Sequence, residues 1–298
     1  MAREQTDILL LLNHRDTIFL GAPAAKIAGV RAVINWQHET FRRYSLHRLT
    51  MLGRRIFHLL CIDRVVAVAK GHKEYIIEYE GVPRRKVEAI YNAVDTEKLI
   101  SKLTVAEAKK RLDLPVDSLV VSSIAVLRPD KAHDVLLRAA QIVLDRFPRA
   151  FFLIVGDGPQ KPALMELAAE LGIQNAVRFL GFRLDIADIL QAVDINVLST
   201  KPEQETLSLA VIEAMAVGKP NICTDVGFMK EIITPGKNGF LTPVGDVRNL
   251  AQKIMTLLGD EKLRRDMGQA ALQVIKEKLN VDTMVRSFEN LFCRLAGK

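Results

Sequence analysis

The most constraining feature of this chain is a repeated alternation of short apolar runs with longer stretches of helical periodicity. Ile8–Leu12 is an unbroken Ile/Leu run, and residues 65–68, 151–155 and, apart from Asn196, 195–198 repeat the theme with β-branched and aromatic side chains. Runs this short, and apolar on both faces, belong in a parallel sheet covered on either side by helices. The expected fold class is therefore α/β with doubly wound sheets, whose ligands bind beyond the carboxyl ends of the strands.

Two such series follow one another. The first predicts strands at Ile8–Leu12, 32–34, 65–68 and 87–90, with helices over 20–28, 41–60 and 73–79. Asn92-Ala93-Val94-Asp95 then opens a polar stretch that Leu112-Asp113-Leu114-Pro115 closes. The second series predicts strands at Leu119–Ile124, 151–155, 177–179, Ile195–Leu198, 221–223 and 240–241. Its helices fall at 133–145, 162–171, 186–191, 208–217 and 247–258, and helices over Glu261–Lys278 and 281–295 finish the chain. This reading places one domain over 1–100, a second over 101–280 and a terminal helix over 281–298. No solenoid-type repeat is visible. With only four strands, the first domain reads as incomplete, beginning on what looks like a mid-domain strand.

Composition narrows the class. A length of 298 residues suits about two domains with real cores, and 49% hydrophobic residues excludes disorder as the main state. Three widely spaced cysteines, Cys61, Cys223 and Cys293, fit a reducing compartment rather than a disulfide framework. No segment reaches the roughly 20 apolar residues of a membrane-spanning helix, and the first residues do not read as a secretory signal. A soluble, cytoplasmic protein is expected. The balance of 42 Lys+Arg against 35 Asp+Glu gives a net charge of +7, which suits nucleic acid, an anionic membrane or phosphorylated ligands. Arg42, Arg43, Arg48, Arg54 and Arg55 crowd one segment, interleaved with Phe41, Tyr44, Leu49, Leu52 and Ile56. That pattern fits a helix lying peripherally on the inner face of an anionic membrane, and equally a solvated basic face on a core-packing helix.

Three constellations could carry chemistry. Glu205-Thr206-Leu207-Ser208 leads from the strand Ile195–Leu198 into a helix containing Glu213, which the spacing places about two turns inside. Amides of Thr206, Leu207 and Ser208 at a helix N-terminus would receive an anion or a sugar hydroxyl, and carboxylates beside them would accept hydrogen bonds from vicinal hydroxyls. The bland alternative is a capped surface helix, with Glu205 complementing the dipole and Glu213 solvated. Next, Arg128 and Lys131 follow the strand Leu119–Ile124. A planar fork and a point charge there suit a diphosphate, whereas pairing with Asp130 and Asp134 would make them an ordinary basic loop. Finally, Gly156-Asp157-Gly158-Pro159 fails as a dinucleotide fingerprint, because Lys161 occupies its last glycine position, but serves as a tight turn near a nucleotide. His14 and His38 each follow a strand at its carboxyl end, where a lone histidine is more often structural. Zinc-ligand spacing, H-E-x-x-H, a P-loop and G-x-S-x-G are all missing, so no metal or cofactor is expected.

In order and spacing, these pieces resemble the GT-B glycosyltransferases of the large retaining family 4, from about Asp7 to the end. Glu205 to Ala216 corresponds to the family's E-x7-E element with its E-A-M-A continuation, and residues 193–199 look like "aDi.vlpS". Val177 to Gly181 looks like "V.FlG", Ile154 to Pro159 like "ivGdGp", Lys237 to Leu241 like "g.nGfL", and Asn92 to Asp95 like "NGvD". The resemblance implies two Rossmann-like domains, the N-terminal one incomplete, with the last helix crossing back to the first. It implies that Glu213 holds the donor ribose and Glu205 the transferred sugar, helped by amides of Thr206, Leu207 and Ser208. Arg128 and Lys131 would hold the diphosphate, His38 would stand near the reacting sugar, and residues around Phe182 and Arg183, with Gly156, would line the nucleotide. Departures are visible. The "GRL…KG" motif reads Ala125-Val126-Leu127 with Lys131-Ala132, so the arginine role falls to Arg128, two positions later. Thr206 and Ala93 each replace a common glycine.

The implied reaction is metal-independent transfer of a sugar, with retention, from a nucleotide-sugar donor to a cell-envelope glycan or glycolipid acceptor. The alternative is a non-catalytic nucleotide-sugar-binding remnant of such an enzyme. Nucleic acid is not an expected partner, since no helix-turn-helix, RRM or zinc-finger signature accompanies the charge. A nucleotide-sugar 2-epimerase rests on fold analogy alone.

Overall fold

The computed structural model describes residues 6–12, 15–40, 48–202 and 205–297. Its contacts divide the chain into two units, one holding the chain up to Asn92 with 205–207 and everything from Val281 on. The other holds Ala93–Pro202 and Ser208–Asn280. The first unit runs β1 (Ile8–Leu12), α1 (Arg15–Ile27), β2 (Ala32–Gln37), α2 (Arg48–Cys61), β3 (Arg64–Ala67), α3 (Lys70–Glu78) and β4 (Val87–Ala89). The second begins with α4 (Val105–Arg111), β5 (Leu119–Ile124), α5 (His133–Leu144), β6 (Ala150–Val155), α6 (Lys161–Glu170), β7 (Val177–Gly181) and α7 (Ile186–Ala192). It continues with β8 (Ile195–Leu198), α8 (Leu209–Ala216), β9 (Asn221–Thr224), β10 (Gly239–Thr242), α9 (Val247–Gly259) and α10 (Glu261–Lys278), and α11 (Val281–Ala296) belongs to the first unit.

In the first unit β1, β2, β3 and β4 lie side by side in that order, all parallel. Alternate residues enter different cores, as strands buried on both faces require. Val33, Val65 and Ala67 meet Ile18, Ala22, Ala25 and Ile76 from the helices on one face. Ile34 and Val66 meet Phe288 and Leu291 of α11 on the other. Met284, Phe288, Leu291 and Leu295 repeat every three or four residues, so α11 presents one apolar stripe to the sheet. Arg294, from the same helix, donates to Glu88 of β4 at 2.6 Å.

The second unit has six parallel strands in the order β10-β9-β8-β5-β6-β7. Strand order therefore reverses between β5 and β8, the place where open α/β sheets bind ligands. One core joins Val121, Phe152, Ile195 and Ile222 to α5, α6 and α9, and another joins Val120, Leu153 and Val155 to α4 and α7. A buried polar chain crosses the reversal. Ser122 Oγ donates to Asn196 Oδ1 at 3.0 Å, and Asn196 Nδ2 donates to Asn221 Oδ1 at 2.8 Å. It continues from Asn221 Nδ2 to the Lys219 carbonyl at 3.0 Å. Side chains that must pair in only one register fix the β5-β8-β9 alignment more tightly than apolar packing could.

The elements differ from expectation in a few places. The polar stretch after Asp95 contains α4, whose start is a capping box: the Glu107 N–H donates to Thr104 Oγ1 at 3.3 Å and the Thr104 N–H to Glu107 Oε2 at 2.8 Å. Its charged sequence hides an inward face, because Lys109 buries its stem and donates to the Ser118 carbonyl at 2.6 Å. α1 begins at Arg15 rather than near residue 20 and contains Pro23. α2 begins at Arg48, and Phe41, Arg42, Arg43 and Tyr44, like His14, lie outside the described residues.

Candidate functional site

At the carboxyl end of β5 the chain enters the loop 125–132. Backbone hydrogen bonds pin it against the 156–158 turn after β6: Ala125 N–H to the Val155 carbonyl at 3.0 Å and Leu127 N–H to the Asp157 carbonyl at 2.9 Å. Gly156 and Gly158 make this approach feasible. A Cβ on Gly156, at φ +133°, would lie 2.0 Å from the Ala125 carbonyl oxygen, and one on Gly158 would lie 2.6 Å from that of Leu127. These glycines thus shape the loop that carries the cations rather than forming a dinucleotide fingerprint.

Arg128 precedes the 3-10 turn Pro129–Lys131, and its guanidinium lies 3.1 Å from Asp130, with about half of its side chain exposed. The pairing anticipated by the bland alternative is thus present, though in an exposed geometry worth little and easily exchanged for an anion. The Lys131 carbonyl accepts from Ser199 Oγ at 2.9 Å, and the Asp130 carbonyl accepts from the Lys201 N–H at 2.8 Å. The loop after β5 is therefore tied to the loop after β8, one on each side of the strand-order reversal.

The loop after β8 leads into α8, and here the structure moves the predicted donors. Ser208 is the N-cap and the helix begins at Leu209, so Glu213 lies just over one turn inside rather than two. The first intrahelical bond runs from the Ile212 N–H to the Ser208 carbonyl at 3.2 Å. The first-turn amides without an intrahelical acceptor are those of Leu209, Ala210 and Val211, which the sequence reading missed, while Thr206 and Leu207 precede the cap. Only the cap position marks this: Ser208 is buried and Leu209 exposed, the opposite of what their side chains suggest, so spacing does not reveal the helix start. Glu213 is half-buried and burial pushes its carboxyl up, so it is no solvated surface carboxylate. Glu205 is buried as well.

In the first unit His38 directly follows β2. Its ring packs on Trp36 with centroids 4.7 Å apart, and burial holds its imidazole below the usual histidine range. Segment 205–207 packs in this unit, where Thr206 Oγ1 donates to the His38 carbonyl at 2.5 Å. Beside them Gln37 Nε2 donates to the Glu39 carbonyl at 2.9 Å and to Glu80 Oε1 at 2.8 Å. His72 Nδ1 accepts from the Val68 N–H at 3.3 Å, and burial lowers this histidine to about 4. The sequence reading did not single out Gln37, His72 or Glu80. Each lies within or just after a β or helical run, where a polar residue in a buried position gives no motif.

Of the two residues assigned to the nucleotide base, Phe182 is 74% exposed after β7. Arg183 is engaged bidentately by Asp185, at 2.7 and 2.5 Å, which raises the arginine and lowers the carboxyl. Another unanticipated group is His133, the first residue of α5. It is 2% exposed, neither ring nitrogen has a hydrogen-bond partner among the described residues, and burial lowers its pKa to about 4, with the nearby Lys131 adding to the effect.

Two parallel-sheet α/β units with a ligand-type reversal in the second define the GT-B class, and solved structures agree. The fold matches Anabaena HepE, determined in complex with UDP-glucose, with a TM-score of 0.87 at 24% identity, covering 97% of this chain and 79% of that one. A glycosyltransferase from Rickettsia africae matches with a TM-score of 0.85 at 20% identity, covering 98% and 78%. The glycosyl transferases group 1 family matches residues 104–274 and glycosyltransferase family 4 matches residues 1–98. The chain belongs to the glycosyl transferases group 1 family.

Among relatives, it is 32% identical over 211 residues to N-acetyl-alpha-D-glucosaminyl L-malate synthase of Bacillus anthracis, covering 70% of this chain. It is 27% identical over 300 residues to UDP-Gal:alpha-D-GlcNAc-diphosphoundecaprenol alpha-1,3-galactosyltransferase of Escherichia coli, covering 98% of this chain. The chain spans about half the length of the first, 54%, and 76% of the second.

Proposed function

We propose that the protein transfers a sugar from a UDP-sugar to a glycan or glycolipid acceptor of the cell envelope, with retention and without a metal. The observation that carries this reading is the pairing of two loops at the strand-order reversal. Arg128 and Lys131 leave β5, while Ser208, the first-turn amides of α8 and Glu213 follow β8. Two cations neutralise the charge that develops on a departing diphosphate. Helix amides receive phosphate or sugar oxygens, and a half-buried carboxylate accepts hydrogen bonds from a ribose diol. In this assignment Glu205 and the Thr206 and Leu207 amides contact the transferred sugar, His38 stands near the reacting carbon, and Gly156 and Phe182 border the nucleotide. Arg183 acts there through its fixed pair with Asp185. Positioning rather than a protein nucleophile carries the rate enhancement. The UDP base is supported by the UDP-bound HepE structures and the name of the Escherichia coli relative, and the lipid-linked acceptor by that name.

The first unit serves the acceptor and the second the donor. No described helix is long and apolar enough to cross a membrane. α1 and α2 nonetheless expose Phe19, Leu20, Ile27, Ile56 and Leu60, which supports peripheral contact with an anionic inner membrane surface.

The test is a thermal-shift panel of UDP, GDP, ADP and their sugar conjugates on the wild type and Glu213→Ala. Ligand at about 100 times its dissociation constant adds about 2.7 kcal/mol. Stabilisation by UDP or a UDP-sugar, lost in Glu213→Ala, supports the reading. No shift with any nucleotide overturns it, and donor binding without turnover on any lipid-linked or envelope acceptor returns the protein to a binding role.

A further inference from the structure

A polar cavity lies in the second unit, at the end of the sheet away from the candidate site. It measures about 270 Å³ and sits where the chain enters β8 and β9, at their amino ends. In a parallel sheet that is the end away from the 125–132 and 199–208 loops. Its wall includes Lys219, Arg264 and Arg265, with Asp194 and Glu261 as the carboxylates.

The backbone presents Lys219 rigidly. α8 closes with Gly218 at φ +71°, its N–H donating to the Met215 carbonyl at 3.0 Å, while the Lys219 N–H donates to the Ala214 carbonyl at 2.9 Å. This is the two-bond turn that commonly ends helices, and it sets the direction of the residue after the glycine. Asn221 Nδ2 then fixes the Lys219 carbonyl at 3.0 Å. A Cβ on Gly268 of α10 would fall 1.9 Å from the Gly218 carbonyl oxygen, so the helix packs directly on this turn.

The charges around the cavity are unevenly satisfied. The Lys219 side chain is partly buried and its ammonium has no hydrogen-bond or ion-pair partner among the described residues. Asp194, the nearest carboxylate in the wall, already accepts from the Val120 N–H at 2.8 Å and lies 4.0 Å from Lys109. Glu261 is 3.9 Å from Arg265. Arg264 is held in place by the carbonyls ending α9, donating to Leu257 at 2.5 Å and Leu258 at 2.9 Å. Of the three cations in the wall Arg265 is matched by Glu261, and Asp194 is engaged by Lys109 and the Val120 N–H, so Lys219 and Arg264 are left without an ion pair among the described residues. Leaving an ammonium unpaired and partly desolvated is unfavourable unless something occupies the space before it. A methionine or leucine there would pack without that cost.

We propose that this cavity is an oxyanion site, centred on Lys219 and flanked by Arg264 and Arg265, that takes inorganic phosphate or a phosphomonoester. The proposal is independent of the donor-site assignment. Fixed cations around a preformed space bind a tetrahedral oxyanion with little ordering cost, and the cavity accommodates a phosphate with room for a small organic substituent.

The experiment is isothermal titration in phosphate-free buffer with inorganic phosphate and, separately, glucose 1-phosphate. The proteins are the wild type, Lys219→Met, Arg265→Gln and Lys131→Met. Binding to the wild type should weaken about tenfold or more in Lys219→Met and severalfold in Arg265→Gln, and stay unchanged in Lys131→Met. Glucose 1-phosphate binding more tightly than phosphate identifies a phosphomonoester site, and equal affinity identifies a phosphate site. If Lys219→Met does not fold, the exposed Arg265→Gln variant decides. Absence of binding at millimolar phosphate overturns the proposal, as does binding abolished by Lys131→Met but kept by Lys219→Met. Loss of stability in Lys219→Met with no phosphate binding in the wild type would reduce Lys219 to a partner of the α8 carboxyl end.

Discussion

Replacing Gly156 by alanine tests whether the cation-bearing loop is held by close backbone approach. Real Cβ atoms essentially never come within 3.0 Å of another atom, and the new Cβ would start 2.0 Å from the Ala125 carbonyl oxygen. The loop must therefore retreat by about 1 Å, which strains or breaks the Ala125–Val155 and Leu127–Asp157 backbone bonds. Two such bonds contribute about 1 kcal/mol each, and a non-glycine residue at φ +133° costs about 1–2 kcal/mol more. The expected loss is about 3–4 kcal/mol by urea denaturation. Gly172→Ala supplies the control, because Gly172 has a positive φ of +69° but nothing within 4 Å of its would-be Cβ. It should lose only about 1 kcal/mol from backbone strain. UDP binding should weaken in Gly156→Ala and stay unchanged in Gly172→Ala. Equal losses of stability in the two variants would refute the close-approach argument, and unchanged UDP affinity in Gly156→Ala would refute its link to the cation loop.

Three further outcomes follow from the geometry. Asn196→Ala strands Ser122 and Asn221 in the sheet and should cost about 3 kcal/mol, seen as a lower urea midpoint with an unchanged slope. His133, lowered from 6.5 to about 4 by burial, makes the unfolded chain the better proton acceptor between those values. Stability from this residue is therefore complete above about pH 6.5 and lost as pH falls towards 4, by up to about 3 kcal/mol. A His133→Leu variant should flatten that part of the pH–stability curve, and parallel curves for both proteins would contradict it. Thr206→Val removes the bond to the His38 carbonyl and should lower sugar transfer about tenfold, whereas Thr206→Ser should keep most of it. Equal rates in the Val and Ser variants would show that the hydroxyl does not position His38.

By itself the sequence determined the element list and the class of each sheet. A parallel strand buried on both faces is mostly apolar, and that signature is local to about five or six residues, so Ile8–Leu12 or Ala150–Val155 could be read without any neighbour. Motif order added Arg128, Lys131 and Glu205 as candidates in the loops after β5 and β8, and Glu213 as a candidate inside the helix that follows. The capping box of α4 was also present, as Thr104-x-x-Glu107, but was masked by a charged stretch whose apolar face shows only once Lys109 is seen to bury its stem. Tertiary structure alone decided the rest. Strand order β10-β9-β8-β5-β6-β7 is what brings the loops after β5 and β8 together, and pairing between strands more than seventy residues apart leaves no local trace. The same holds for the orphaned imidazole of His133, the Asn196 hydrogen-bond chain and the unpaired ammonium of Lys219. Each is one polar residue in an otherwise ordinary run, and its meaning comes from which distant groups the fold places, or fails to place, within 3 Å.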